Sequence, residues 1–158
     1  MANGKLVIVV GPSGAGKDTL IDGAKRVLST DIRFHFPRRE ITRPENAGGE
    51  AHLAVSVEEF HARTIANEYA LSWQAHDTCY GISRSIDVHL AQGKTVVVNT
   101  SRTAIEPART RYPGTTIIHI SAPKELLAER LTARGRKSKT GVHARVARLR
   151  RFDALQRR

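Results

Sequence analysis

Three runs of the chain are apolar almost without interruption: KLVIVV from Lys5 to Val10, TVVVN from Thr95 to Asn99 and TTIIHI from Thr115 to Ile120. They are rich in β-branched residues and do not alternate with polar positions, which predicts parallel strands covered on both faces. Between them the spacing becomes helical. Leu20, Ala24, Val27 and Leu28 recur at helical intervals behind a glycine-rich turn and predict an apolar face turned to the core. SVEEFHARTIANE opens with a capping box, Ser56 with Glu59. APKELLAERLTARG has Pro123 in its first turn, Leu127 and Leu131 on one face and Gly135 as its stop. Strands alternating with helices predict an α/β domain, a parallel sheet flanked by helices.

One segment breaks the order. RREITRPENAGGEAH, Arg38 to His52, is rich in charge, proline and glycine and has no periodicity. It reads either as an insertion that covers a substrate or as a floppy loop. No repeat or low-complexity tract is visible, so residues 1–158 are expected to form one domain, and 158 residues suffice for a substantial core.

Composition narrows the class. No stretch reaches the ~20 apolar residues of a membrane span, and the first residues, MANGKLVIVV, run into the glycine-rich turn without resembling a secretory leader. The single cysteine, Cys79, excludes an internal disulfide and suits a reducing cytoplasm. Net charge is +11, and the segment from Arg134 to Arg158 holds much of it, with Asp153 its only acid. Such a block suits nucleic acid, an anionic surface, a multiply phosphorylated substrate or a solvated helix without a partner. Aromatic residues are not interleaved with the basic ones, so single-stranded nucleic acid is not an expected partner.

The turn behind the first strand reads GPSGAGKDTL, Gly11 to Leu20. It meets the phosphate-loop pattern at Gly11, Gly16 and Lys17, directly after a predicted strand and at the start of a predicted helix. Gly11, Pro12, Ser13, Gly14, Ala15, Gly16, Lys17, Asp18 and Thr19 are therefore candidate ATP-binding residues, with Lys17 reaching the β- and γ-phosphates. Asp18 stands where the pattern asks for a hydroxyl. Thr19 cannot replace it, because one residue rotates a helical side chain by ~100°. Two readings stay open: Asp18 gives Mg²⁺ a charged oxygen ligand, or the loop binds metal weakly. The strand TVVVN ends in Asn99, where phosphate-loop enzymes often carry an acid.

GPSGAGKDTL, REITRP with GGEAH, ALSWQAHDTCYGI, VVVNTSR, RYPG and LAERLTARGR with VHARVAR occur in this order. Together they resemble the ribose 1,5-bisphosphate phosphokinases, relatives of the guanylate kinases among the phosphate-loop kinases. The resemblance covers roughly Lys5 to Arg148 and implies ATP-dependent formation of 5-phosphoribosyl 1-diphosphate in phosphonate catabolism, with Mg²⁺, in the cytoplasm. It implies an acceptor-binding insertion at about 37–80, in which Arg39, Arg43 and Tyr80 clamp the acceptor phosphate. Ser72 replaces the glutamate that reads guanine in guanylate kinases, and Asn99 and Arg102 are further acceptor contacts. Arginine suits this work because its planar fork matches phosphate oxygens in pairs. A basic lid at about 134–145 would supply Arg134 and Arg145 to the reaction beside Lys17 and Asp18.

Family members continue with a further strand and helix that partly frame the base, and this chain is expected to lack them. Tyr80 could instead be packing, and Trp73 is expected to be. His52 and His76 have no partner at metal-ligand spacing. A homodimer is an open expectation. The competing readings are a nucleoside monophosphate kinase and a silent binding module; Ser72 speaks against the first where guanylate is the acceptor, and Lys17 speaks against the second.

Overall fold

In the computed structural model, which describes residues 3–47 and 50–133, the three apolar runs become adjacent parallel strands. β1 (Lys5–Val10) lies at the centre. A two-residue strand, β2 (Phe34–His35), precedes the next elements on the same sheet. Leu6, Ile8 and Val10 of β1 are almost fully buried, as expected of a strand covered on both faces.

α1 (Lys17–Val27) follows the glycine-rich turn as predicted, but its expected core face is not buried. Leu20 is 54% and Val27 83% exposed. The helix approaches the sheet through half-buried Ile21 and Ala24, which leaves Leu20 and Val27 on its outer side.

The aperiodic segment folds into part of a second sheet. β3 (Glu40–Ile41) and β4 (Leu53–Ala54) pair in parallel, and α2 (Val57–Ile65) follows. Glu59 donates its backbone N–H to Ser56 Oγ at 3.0 Å, the N-terminal half of the capping box. β5 (Tyr69–Ala75) and β6 (Thr78–Ser83) then form an antiparallel hairpin, and the strand order is β4-β3-β6-β5. His76 and Asp77 turn the hairpin with φ of 51° and 59°. Tight hairpins favour such positive φ at both central residues, normally through Asn-Gly, so His-Asp is a weak turn signal in sequence.

A buried polar contact ties this sheet to α2. Glu40, 6% exposed, accepts from Tyr69 Oη at 2.6 Å and from Arg63 Nη1 at 2.8 Å. The Tyr69 ring stacks on Phe60 with centroids 4.7 Å apart. Gly81 makes room for that ring: a Cβ there would sit 2.5 Å from it. Burial, then the bond to the Glu40 carboxylate, raises the Tyr69 phenol above its ordinary range.

α3 (Ile86–Ala91), β7 (Thr95–Asn99), α4 (Ile105–Arg111), β8 (Thr116–His119) and α5 (Lys124–Ala133) complete the described chain. The parallel sheet runs β2-β7-β1-β8, with Leu6 opposite Val96 and Ile8 opposite Val98. β8 is shorter than TTIIHI, and Ile118 is 43% exposed. Among the described residues it is the edge strand of this sheet, paired with β1 alone, and its mostly exposed side chains show that the predicted two-sided cover fails there. Leu127 and Leu131 of α5 are buried on one face as predicted. Gly135, the expected lid at about 134–145 and the basic C-terminal segment lie outside the described residues.

One apolar cluster joins the two sheets: Leu6, Ile8, Val10, Val96 and Val98 pack with Ala70, Leu71 and Ile82. Full burial of each large aliphatic side chain contributes about 1.5–3 kcal/mol. The sheets therefore share one core. Among the described residues no helix is long and apolar enough to cross a membrane.

His35 on β2 stacks on His89 of α3 with ring centroids 3.6 Å apart. Burial, then the charges of His89, Lys94 and Lys25, holds the His35 imidazole below its usual value of 6.5. Because the folded value lies below the unfolded one, the folded state takes up fewer protons in between, and stability rises with pH there. The contribution is complete above about 6.5 and is lost as pH falls through the lowered value. We predict a melting temperature that falls from about pH 7.5 to about pH 5.5, and a flatter profile for His35→Phe. An unchanged slope in the variant would show that the pair is electrostatically idle.

Candidate active site

The site begins where β1 ends. At Gly11 a Cβ would meet the Ile120 carbonyl oxygen at 2.1 Å, so the chain can leave the sheet here only as glycine. Gly16 has φ of 97° and opens α1 with no side-chain cap. The first-turn N–H groups of α1 thus keep their capacity to bind an anion, and the positive end of the helix dipole adds to it. Ala15 is buried beneath the loop against Leu127 of α5. Arg130 on α5 donates to the Gly14 carbonyl at 2.9 Å, a second brace from the same helix. Lys17 Nζ donates to the carbonyls of Gly11 at 2.7 Å and Pro12 at 3.2 Å, which keeps its ammonium over the loop.

Asp18 faces the end of β7. Asn99 Nδ2 donates to Asp18 Oδ1 at 2.6 Å, which fixes one carboxylate oxygen. Asn99 is 8% and Thr100 2% exposed, and Asn99 Oδ1 and Thr100 Oγ1 are buried with no hydrogen-bond partner among the described residues. Buried polar atoms of this kind are normally completed by ordered water, an ion or a ligand. Asp18 thus places a carboxylate beside the phosphate loop, held by the Asn99 amide. This fits Mg²⁺, which is held by one or two carboxylates together with substrate phosphates. No group of three or more His, Cys, Asp or Glu among the described residues could hold a metal alone.

The second sheet supplies the opposite wall. Arg39 precedes β3 and is largely buried, with its guanidinium 5.1 Å from the Tyr80 ring and 5.9 Å from the Trp73 ring. Those two rings stack almost parallel, with centroids 5.5 Å apart. Burial pushes the Arg39 guanidinium down to about 10, so it stays charged at neutral pH. It forms an ion pair with Glu50. The Nε atoms of Arg39 and Arg43 are buried and donate to nothing among the described residues. His52, 1% exposed, sets each ring nitrogen against a backbone carbonyl, Glu50 at 3.1 Å and Arg43 at 2.9 Å, and so pins the segment that carries both side chains.

The two walls enclose one cleft. Lys17, Asp18, Arg39, Arg43, Tyr80, Asn99 and Arg102 all line it, with Gly11, Pro12, Ser13, Gly14 and Gly16. Other expected residues lie elsewhere. Ala15 supports the loop from behind, Thr19 is exposed on α1 away from the cleft, and Ser72 is exposed on β5 outside the lining. Arg38 donates to the His52 carbonyl at 2.7 Å. Arg134 and Arg145 lie outside the described residues.

Glu50, Thr100 and Trp73 are among the lining residues that sequence did not single out for the site. Trp73 does pack against the core as expected, but it also faces the cleft. Glu50 follows two glycines in the aperiodic stretch, where neither spacing nor burial pattern signals a role.

The chain is similar to known proteins over most of its length. The family model described as guanylate kinase matches residues 3–154. The chain is 45% identical over 152 residues to the ribose 1,5-bisphosphate phosphokinase PhnN of Thiobacillus denitrificans, covering 96% of this chain and 80% of that one. It is 46% identical over 145 residues to the protein of the same name from Rhizobium etli, covering 92% and 74%. In three dimensions it is similar to a guanylate kinase from Anaplasma phagocytophilum, with a TM-score of 0.69 at 14% identity over 92% of this chain and 72% of that one. The last similarity concerns the fold alone.

Four cations against two carboxylates line the cleft, so a polyphosphate should bind there without any acceptor. At about 100 times its Kd, inorganic pyrophosphate should stabilise the protein by about 2.7 kcal/mol, read as a rise in melting temperature. Lys17→Ala should remove most of that rise. An equal rise in the variant would place the anion elsewhere.

Proposed function

The chain belongs to the guanylate kinase family, and from that premise we propose that it transfers the γ-phosphoryl group of ATP to the anomeric phosphate of ribose 1,5-bisphosphate. The products are 5-phosphoribosyl 1-diphosphate and ADP. The observation that carries this reading is the single cleft in which the phosphate loop faces Arg39, Arg43 and Tyr80. Its relatives named ribose 1,5-bisphosphate phosphokinase support the choice of acceptor. They also support a place in phosphonate breakdown, in a cytoplasm that supplies ATP.

An anionic oxygen of the anomeric phosphate attacks the γ-phosphorus, the bond to the β–γ bridging oxygen breaks, and ADP leaves with the electron pair. No proton has to be removed, because a phosphate monoester is largely ionised at pH 7. The site needs no general base, and the amide of Asn99 at the end of β7 suits that requirement. What the reaction demands is positive charge around two polyanions.

Lys17 and the first turn of α1 serve the β- and γ-phosphates. Arg39 and Arg43, with buried Nε donors, serve the acceptor, and Arg102 at the end of β7 lies in the same cleft. Mg²⁺, bound through Asp18 with Asn99 as its neighbour, would neutralise charge on the β- and γ-phosphates. Arg134 and Arg145 belong to the proposal as cations of a lid at about 134–145.

The acceptor can be tested directly. With ATP and Mg²⁺, ribose 1,5-bisphosphate should yield a diphosphate on the anomeric carbon, seen as two coupled phosphorus resonances. GMP should be poor by as much as ~10⁴-fold, because the chain has Ser72 where guanylate kinases carry the glutamate that reads guanine, and Ser72 lies outside the cleft lining. Efficient conversion of GMP, with no reaction on the sugar bisphosphate, would overturn the reading.

The metal role of Asp18 has its own measurement. Asp18→Asn should move the Mg²⁺ titration to higher concentration, both in turnover and in calorimetric binding of Mg·ADP, while metal-free ADP binds almost unchanged. An unmoved titration would reduce Asp18 to a first-turn acid that favours the helix dipole.

A further inference from the structure

A carboxylate in the acceptor half of a phosphate-binding cleft needs a reason. Glu50 lines the cleft with a side chain 17% exposed, beside Arg39 and opposite the phosphate loop. Acceptor phosphates carry roughly −1.5 to −2 each, and a carboxylate against them is repulsive. Pairing with Arg39 cancels the net charge. It does not exhaust the carboxylate, which offers about four lone-pair sites, of which the bond from Arg39 Nη2 to Oε1 takes one. His52 holds the Glu50 carbonyl in place, so the side chain starts from a fixed backbone. The uncharged part of a sugar bisphosphate is its hydroxyl groups, and these are donors.

We propose that Glu50 accepts a hydrogen bond from a ribose hydroxyl of the acceptor and thereby selects a sugar bisphosphate that carries it. The proposal rests on the sugar-bisphosphate reading above. Glu50 then has two duties that one geometry satisfies: it neutralises the buried Arg39, and it directs its remaining lone pairs at the sugar. Phosphates go to Arg39 and Arg43, and a hydroxyl goes to the acid that lines the same cleft beside Arg39. A site built around such an acceptor discriminates against an analogue without the hydroxyl, because the carboxylate is then left desolvated and unpaired.

The test compares Glu50→Gln with the native enzyme on ribose 1,5-bisphosphate and on its 2-deoxy and 3-deoxy analogues. Glutamine keeps an acceptor for Arg39 but presents an amide N–H₂ to the hydroxyl. The native enzyme should lose about 10- to 100-fold in kcat/KM on one of the two analogues. E50Q should lose a similar factor on the parent sugar and little on that same analogue. If E50Q loses equally on all three acceptors, Glu50 only holds Arg39 and the proposal fails. It also fails if the native enzyme uses both analogues as well as the parent. Should melting show that E50Q is unfolded, Glu50→Asp replaces it, with the same pattern required. Absence of any reaction of the native enzyme with the parent sugar would refute the function itself, a result distinct from either failure.

Discussion

Burying a guanidinium is costly, and much of the acceptor half of this molecule answers that cost. Arg39 gives up most of its hydration, which is why burial lowers its affinity for a proton. Glu50 returns part of the loss as a paired charge, and the faces of Tyr80 and Trp73 return more as cation–π contact. The remaining deficit sits at the Nε atoms of Arg39 and Arg43, buried without an acceptor among the described residues. An anion placed at these atoms would remove that deficit through charge-assisted bonds in a desolvated setting.

The donor half solves a different problem with fewer residues. A phosphate loop normally divides metal binding between a neutral hydroxyl on the loop and an acid at a strand end. Here the acid is Asp18 on the loop and the neutral group is Asn99 on the strand, 2.6 Å apart. The carboxylate stands on the loop and the neutral amide on the strand, joined through Asn99 Nδ2. With Asn99 at the strand end, no carboxylate there can act as a base, and an acceptor that is already anionic needs none.

The parallel sheet was legible because buried parallel strands write themselves as unbroken apolar runs, and Lys5–Val10 and Thr95–Asn99 appear with the predicted bounds. The phosphate loop was legible because its glycines answer steric demands, as the close approach of Ile120 to Gly11 shows. The second sheet was not legible from pattern. β3 and β4 have two residues each, too short for any period, and the hairpin turns on His76–Asp77. The outer face of α1 misled because helical spacing states which residues share a side, not whether a neighbour covers it: Leu20 and Val27 share their side and stay exposed. Glu50 was invisible for a related reason. Its role depends on Arg39, which reaches it across the fold rather than along a helix or strand.

Both halves of the cleft descend from one core, and that sets how far apart they stand. Ile8 and Val98 beneath the phosphate loop pack in the same cluster as Leu71 and Ile82 beneath Tyr80 and Trp73. Phosphoryl transfer is sensitive to the spacing of donor and acceptor, since its catalysis is almost wholly positioning and electrostatics. The polar triad of Glu40, Tyr69 and Arg63 extends this rigidity outward to α2, with Gly81 admitting the Tyr69 ring. Arg39 is the immediate neighbour of Glu40, so the bond that stabilises the small sheet also orients the main-chain segment that carries the Arg39 guanidinium into the cleft. Stability and positioning in this half of the molecule are therefore one interaction, and the acceptor site cannot loosen without the sheet loosening with it.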